Sequence, residues 1–544
     1  MFRFRRAMSR LNRLLGRIDC PPILSSVRMS PVLKDRLSLE ACEAREVPAN
    51  LVWTNTADNG LFGVAANWRD LDTNVTATAA PVQGDTLIFD GELLDAPNCN
   101  TDLKDLHGFD LTETTADFAA ISLVNGYSGK VTLVADATPG LSVGAFTLTS
   151  GAIAQPNGIT TVTTVTETGE GGTVTTTTVT TITPPPDLSV LDTFTWTGGI
   201  LNSTPSDAAL NLVGATATID PGAMNAVTTG STIRLVARND VTGLIGSTAT
   251  FLSGTIRFAG SAELIVDNLG IFNIGAPQPQ PQRPVLKFES EGPNPIGAQG
   301  VNIKAGGTLK INQGDFDSEG RPLDITGGRL ILLGDSTAKF GGRVAGANFA
   351  PSIQLTDGRI DLMQGTTLTA VNGITLSKSN APNATADLNT FWNPAFAGAQ
   401  QSQPTATIKG NLINRGADVG MCHDMLNRLK FCTLFVDGTV EWSGGTYRPM
   451  TYAPGGNVTL TDVWLSKGEF TIKAGAKLSP GAVSANGVFG AQQPTVGQQW
   501  VVIESQEKVS NLQAGPPVEG KWKIVLDFEP ATQIVKKFKL EGIA

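Results

Sequence analysis

Gly307-Thr308-Leu309-Lys310-Ile311, followed 21 residues later by Gly328-Arg329-Leu330-Ile331-Leu332, decides how this chain folds. In each stretch a glycine precedes two apolar residues spaced two apart. Glycine permits the backbone of a tight corner, and residues two apart on a strand point to the same side. A corner, a short strand and one apolar face, repeated, describe a chain that coils and buries its inner side rung upon rung. The unit recurs at Gly129-Lys-Val-Thr-Leu, Gly144-Ala-Phe-Thr-Leu, Gly254-Thr-Ile-Arg-Phe and Gly358-Arg-Ile-Asp-Leu. It returns at Gly438-Thr-Val-Glu-Trp, Gly456-Asn-Val-Thr-Leu and Gly468-Glu-Phe-Thr-Ile. The steps of 21 and of 18 (Gly438 to Gly456) suit one turn of a three-sided coil, and steps of 30 or 12 require insertions at the corners. The expectation is an all-β protein: a right-handed parallel β-helix, or β-solenoid, with inserted loops and a β-rich C-terminal cap.

Composition agrees. The 544 residues include 60 Gly, 62 Thr and 31 Pro but only 2 His. Charged residues are 16%, against about 25% in ordinary globular proteins. With 41% hydrophobic residues the chain is too apolar for wholesale disorder, and its glycines lack a collagen period. Net charge is −9, unevenly spread: residues 1–50 hold 10 basic and 5 acidic side chains, the remainder 30 and 44. The acidic body argues against nucleic acid as a partner, because a polyanion is repelled by it.

Four regions follow. Residues 1–49 read as a basic leader, removed or disordered. Residues 50–100 read as an N-terminal cap with the first rungs, 101–490 as the solenoid, and 491–544 as a C-terminal β cap. Insertions are expected at 159–186, 275–300 and 379–405. The first alternates Thr and Val through 159–183, which fits a long hairpin or a Thr-rich loop. The second holds six prolines and the third is rich in Asn, Gln and Ala. In the leader, Arg3, Arg6, Arg10, Arg13 and Arg17 share one helical face, and Phe4, Met8, Leu11, Leu15 and Ile18 another. Such a helix suits an anionic membrane surface or a targeting segment; a basic leader without a partner has the same pattern. Arg5-Arg6 is followed by no continuous apolar run, and no stretch approaches the ~20 apolar residues of a transmembrane helix.

Leu39-Glu40, Glu43, Arg45 and Pro48 resemble the LEPR-XLL sorting-type motif of large exported bacterial surface proteins, with Cys42 where that motif usually carries Leu. Trp53, Asn67-Trp68, Pro81, Gly84-Asp85 and Phe89 resemble the opening of autotransporter-associated β-strand repeat proteins. Phe194-Thr-Trp-Thr-Gly-Gly-Ile and Val440-Glu-Trp-Ser-Gly-Gly-Thr match one another, with Trp196 aligned on Trp442, and resemble the same proteins. The resemblance implies a β-helical protein located outside the cell or on its surface. An autotransporter proper would carry a translocating β-barrel after its last strands, and none is read within this sequence.

The residues offer little chemistry. No HExxH, GxSxG or GxxxxGK[ST] pattern occurs. His107 and His423 read as a turn residue and a surface residue. Asp315, Asp317 and Glu319, ahead of Gly320, alternate as in a Ca²⁺ loop, although Thr326 stands where the bidentate Glu belongs. Ca²⁺ is therefore the one cofactor candidate, against a solvated acidic turn. Cys422 and Cys432 bracket a polar excursion that a disulfide would close in an exported protein; two separate thiols fit the spacing equally.

Function divides three ways. The principal expectation is a non-enzymatic surface protein whose faces and loops contact polysaccharide, extracellular matrix or other surface proteins. The alternatives are a polysaccharide-active enzyme, lyase or glycoside hydrolase, and a carbohydrate-binding module. An enzyme requires three or more charged side chains converging on one face. A binding module requires a row of exposed aromatics; Trp196 and Trp442 read first as core residues of a strand and turn, and otherwise as sugar-stacking rings.

Overall fold

The computed structural model describes residues 48–543, apart from 94–100, 104–115, 134–139, 156–158, 169–173, 184–185, 203–207, 223–224, 241–242, 260–261, 276–282, 289–299, 319–320, 335, 342–343, 346–347, 350, 392–405, 422–431, 456–457, 483–498 and 511–521. The basic leader lies outside the described residues.

A β-solenoid forms, and one turn shows how. Val301–Ile303 lies on a first face, Thr308–Asn312 on a second and Asp315–Asp317 on a third. The next turn repeats this as Leu323–Thr326, Arg329–Leu333 and Thr337–Phe340. Each strand pairs in parallel with its successor: Val301 with Leu323, Thr308 with Arg329, Asp315 with Thr337. Among the described residues the third face is a 16-stranded sheet, and the first two merge into a 28-stranded sheet because early strands bend across both. Leu188–Trp196 pairs through its first residues with Ala209–Val213 and through its last with Thr216–Ile219.

Alternation sets the interior. Leu309, Leu330, Ile360 and Leu388 stack in successive turns of the second face, all at 1% exposure or less. Behind the third face Phe258 stacks on Phe288 at 4.7 Å and Phe316 on Phe340 at 4.9 Å. The ends are closed differently. Trp68–Asp70 runs antiparallel to Asn50–Trp53, which starts the parallel ladder on Thr86–Asp90. At the other end Val535–Gly542 runs antiparallel to Gln499–Ser505 and to Trp522–Phe528.

Four sequence expectations are corrected. The Gly438 to Gly456 step is not a turn: Val458–Thr461 pairs antiparallel with Met450–Gly455 in an excursion, and the partner of Val440 in the next turn is Phe470. The Pro-rich 275–300 is not all loop, because Val285–Phe288 pairs with Thr255–Phe258 in the third face; its prolines masked a four-residue alternation. Likewise 379–405 contains Ala386–Phe391, paired with Gly358–Met363. Gln499–Ser505, assigned to the C-terminal cap, still pairs in parallel with Val463–Ser466, so the solenoid runs further than expected. Within 159–183, Ile159–Thr168 pairs antiparallel with Val174–Thr183 in a two-stranded sheet separate from both large sheets.

The two Trp-x-Gly-Gly units are local rhymes rather than equivalent positions. Trp196 lies on the second face and Trp442 on the first, so the chain turns different corners after them. What they share is steric. Gly445 has φ +78°, and a Cβ there would lie 2.0 Å from the Ala417 carbonyl oxygen of the preceding turn. Gly126 has a similar φ of +74° with open space around it. Gly445→Ala is expected to cost about 2 kcal/mol, and Gly126→Ala only the left-handed conformation, about 1 kcal/mol. Paired urea titrations check this; equal losses would mean that the close approach contributes nothing.

Candidate functional site

A strand that buries alternate residues must present the others, so each outward position becomes one step of a column running across the turns. Neighbouring steps are about 4.8 Å apart, and side chains in one column meet those of the next turn. On the second face this gathers charge. Arg329, Arg359, Asp387 and Asp418 occupy one outward column, and Asp361, Asn389, Gly420 and Arg448 the column beside it.

Asp361 is the centre of the cluster. Its side chain has 0% exposure although it lies on the outward side of its strand. Arg329 donates to one carboxylate oxygen, and Arg359 Nε donates to the other at 2.6 Å. Asn389 Nδ2 also donates to it, at 3.3 Å. Asp418 accepts from the Thr446 N–H at 2.9 Å and from Arg448 at 2.9 Å. Asp387, directly opposite Asp418 in the ladder, differs. Burial pushes its carboxyl above the ordinary value of 3.8, and Asp418 adds to the rise, while Arg359 and Arg448 oppose it. The two neighbouring carboxyls thus differ: Asp418 is bonded by two donors, and Asp387 is raised above its ordinary value by burial.

The raised value has a consequence for stability. Folding penalises the charged form of Asp387, so the penalty is present above its folded-state pKa. It fades as pH falls through that value toward the unfolded one near 3.8. Asp387→Asn is therefore expected to melt higher than wild type at neutral pH, with the gap closing below about pH 4. Melting curves across pH test the sign, and a gap that widens on acidification would refute it.

The sequence-derived candidates fall elsewhere. Asp315 and Asp317 project outward from a third-face strand rather than from a loop, with Phe316 buried between them. Thr337 Oγ1 donates to Asp315 at 2.6 Å and Lys339 Nζ to Asp317 at 3.2 Å; Arg283 approaches Asp315 at 3.6 Å. Glu319 lies outside the described residues. Among the described residues no group of three or more His, Cys, Asp or Glu side chains is placed to hold a metal ion. His107, His423 and Cys422 also lie outside them. Cys432 is fully buried and disulfide-bonded; its partner cysteine is not among the described residues. Trp196 and Trp442 are both at 0% exposure, so neither offers a ring to a sugar.

Sequence reading missed the second-face cluster, although a signal existed. Arg359-Ile-Asp361-Leu and Asp387-Leu-Asn389-Thr both place polar side chains between inward residues. Only the turn length, which the insertions obscure, sets them side by side.

No protein-family model and no curated protein matches the chain. No helix among the described residues is long and apolar enough to cross a membrane.

Proposed function

We propose that the protein is an exported or cell-surface β-solenoid that serves as a non-enzymatic scaffold for adhesion or matrix contact. The observation that carries this reading is how the outward charges are used. Lys467 meets Asp437 at 2.8 Å, Lys473 meets Glu441 at 2.7 Å and Lys508 meets Glu469 at 3.2 Å, each pair joining successive turns. Single exposed pairs contribute little, about 0–1 kcal/mol, but a series of them resists slippage of one turn past the next. The oxidised Cys432 supports placement in an oxidising compartment, as does the resemblance of the N-terminal motifs to exported surface proteins. Fractionation of native cells, with protease treatment of intact cells, tests the location. Recovery outside the cytosol with Cys432 oxidised is expected, and a reduced, cytosolic chain would overturn the reading.

A second reading, a polysaccharide-active enzyme, is favoured by the second-face cluster, which meets the requirement of three or more charged side chains on one face. Asp387, raised by burial, would be the proton donor, and Asp418, held by Thr446 and Arg448, its partner carboxyl. Its test is release of reducing or unsaturated ends from acidic and neutral glycans. Activity lost in Asp387→Asn, with the melting behaviour above retained, would place this reading first.

A further inference from the structure

The third face carries a column of which these readings use only the Asp437–Lys467 pair. Its outward positions run Arg257, Lys287, Asp317, Lys339, Thr369, Lys409 and Asp437 in successive turns. Lys467 follows, bonded to Asp437. From Lys287 onward a lysine occurs at every second turn: Lys287, Lys339, Lys409, Lys467. The intervening positions are Asp317, Thr369 and Asp437. Lysine thus recurs about every 9.6 Å along a line of about 29 Å.

The chemistry beside the lysines is that of a sugar site. The adjacent outward column runs Asp315, Thr337, Thr367, Thr407, Phe435 and Leu465. Three hydroxyls therefore lead to a half-buried aromatic ring, whose open part suits the apolar face of a pyranose. Lys409 is exposed and shares a strand with Thr407; in the following turn Thr407 is paired with Phe435 and Lys409 with Asp437. Lys287 and Lys409 make no ion pair among the described residues, whereas Lys339 and Lys467 are held by Asp317 and Asp437.

We propose that this face binds a linear acidic glycan lying across the turns. In an extended chain of equatorially linked sugars, successive units face opposite ways, so acidic groups on one side recur once per disaccharide. That repeat is close to the two-turn spacing of the lysines. The protein's overall negative charge does not forbid this, because in physiological salt charges beyond about 8 Å are largely screened and the column itself carries a surplus of cations. A single straight file of cations suits a flat, extended polyanion better than the winding phosphates of a nucleic acid.

The inference deepens the adhesion reading by naming its partner, but its test is independent of cellular location. Purified full-length protein is titrated with labelled β-1,4-linked polyglucuronate oligomers of increasing length, with neutral β-1,4-glucan oligomers and single-stranded DNA as competitors. Expected are salt-sensitive binding that strengthens with length and a loss of about tenfold in Lys287→Glu/Lys409→Glu. Lys473→Glu on the first face is expected to bind as wild type. If the Glu pair alters the melt, Lys287→Gln/Lys409→Gln provides the same comparison. No binding, equal loss in the first-face variant, or competition by DNA equal to that by unlabelled polyglucuronate would each overturn the proposal. A cytosolic location with intact glycan binding would instead overturn only the export reading.

Discussion

Trp68→Ala is expected to remove about 3–5 kcal/mol from the N-terminal end of the solenoid. The ring is at 0% exposure. It meets Trp53 edge-on at 5.0 Å, Phe62 at 5.4 Å and Phe89 at 5.7 Å. Its indole N–H donates to the Phe62 carbonyl at 2.9 Å. A coil of parallel strands has no natural end, because the interior continues and the last strand offers unpaired N–H and C=O groups. Here the antiparallel strand Trp68–Asp70 covers Asn50–Trp53, and its Trp plugs the open core. Losing that plug leaves a void and loosens the cover. Stability in a stacked protein is nearly a sum of local terms, so the loss belongs to the first turns. Faster hydrogen exchange is expected at Asn50–Trp53 and Thr86–Asp90, with Arg329–Leu333 unchanged. Self-association is expected to rise with concentration, since an uncapped end fits another. Trp68→Phe keeps an edge contact and loses the indole donor, about 1 kcal/mol. Exchange in Trp68→Ala matching wild type would mean that the cap seals nothing.

The periodicity of the sequence was sufficient for the coil but not for its phase. Gly307 and Gly328 begin equivalent second-face strands, so their spacing measured a true turn. Gly438 and Gly456 matched the same five-residue pattern, yet Val458–Thr461, within the second, is the return strand of an antiparallel pair. A glycine followed by alternating apolar residues specifies a corner and a strand. It does not specify the neighbour that the strand will meet. Composition misled in the other direction at Val285–Phe288 and Ala386–Phe391, where short core strands were lost among Pro and Asn. The charged columns were invisible for the same reason. Ile256-Arg257-Phe258, Leu286-Lys287-Phe288 and Ala338-Lys339-Phe340 share an apolar–basic–Phe motif. The intervening insertions differ in length, so only the ladder aligns them. Asp315 and Asp317 show the limit of motif reading: a spacing that suits a metal loop also suits the outer side of a strand, and the buried Phe316 distinguishes the two.

Asp361 provides the second large effect, and its sign depends on which partner is removed. The carboxylate has no exposure, whereas Arg329 and Arg359 keep 43% and 41% of their side chains in solvent. Replacing both arginines with methionine leaves a buried charge served only by Asn389 among these donors, and breaking a buried pair in this way typically costs about 3–5 kcal/mol. Removing the acid instead, as Asp361→Leu, leaves two guanidiniums that water can still reach, so the loss should be smaller. Adding Asp361→Leu to the double variant removes the stranded charge, and the triple variant should regain most of the loss. Urea midpoints, with exchange at Gly358–Met363 and Ala386–Phe391 as the local readout, distinguish these cases. If the triple variant is as unstable as the double, the arginines act through packing of their stems against the neighbouring turns rather than through the carboxylate. If all three match wild type, the cluster has no structural role, and its burial of Asp361 would have to be explained by what binds there.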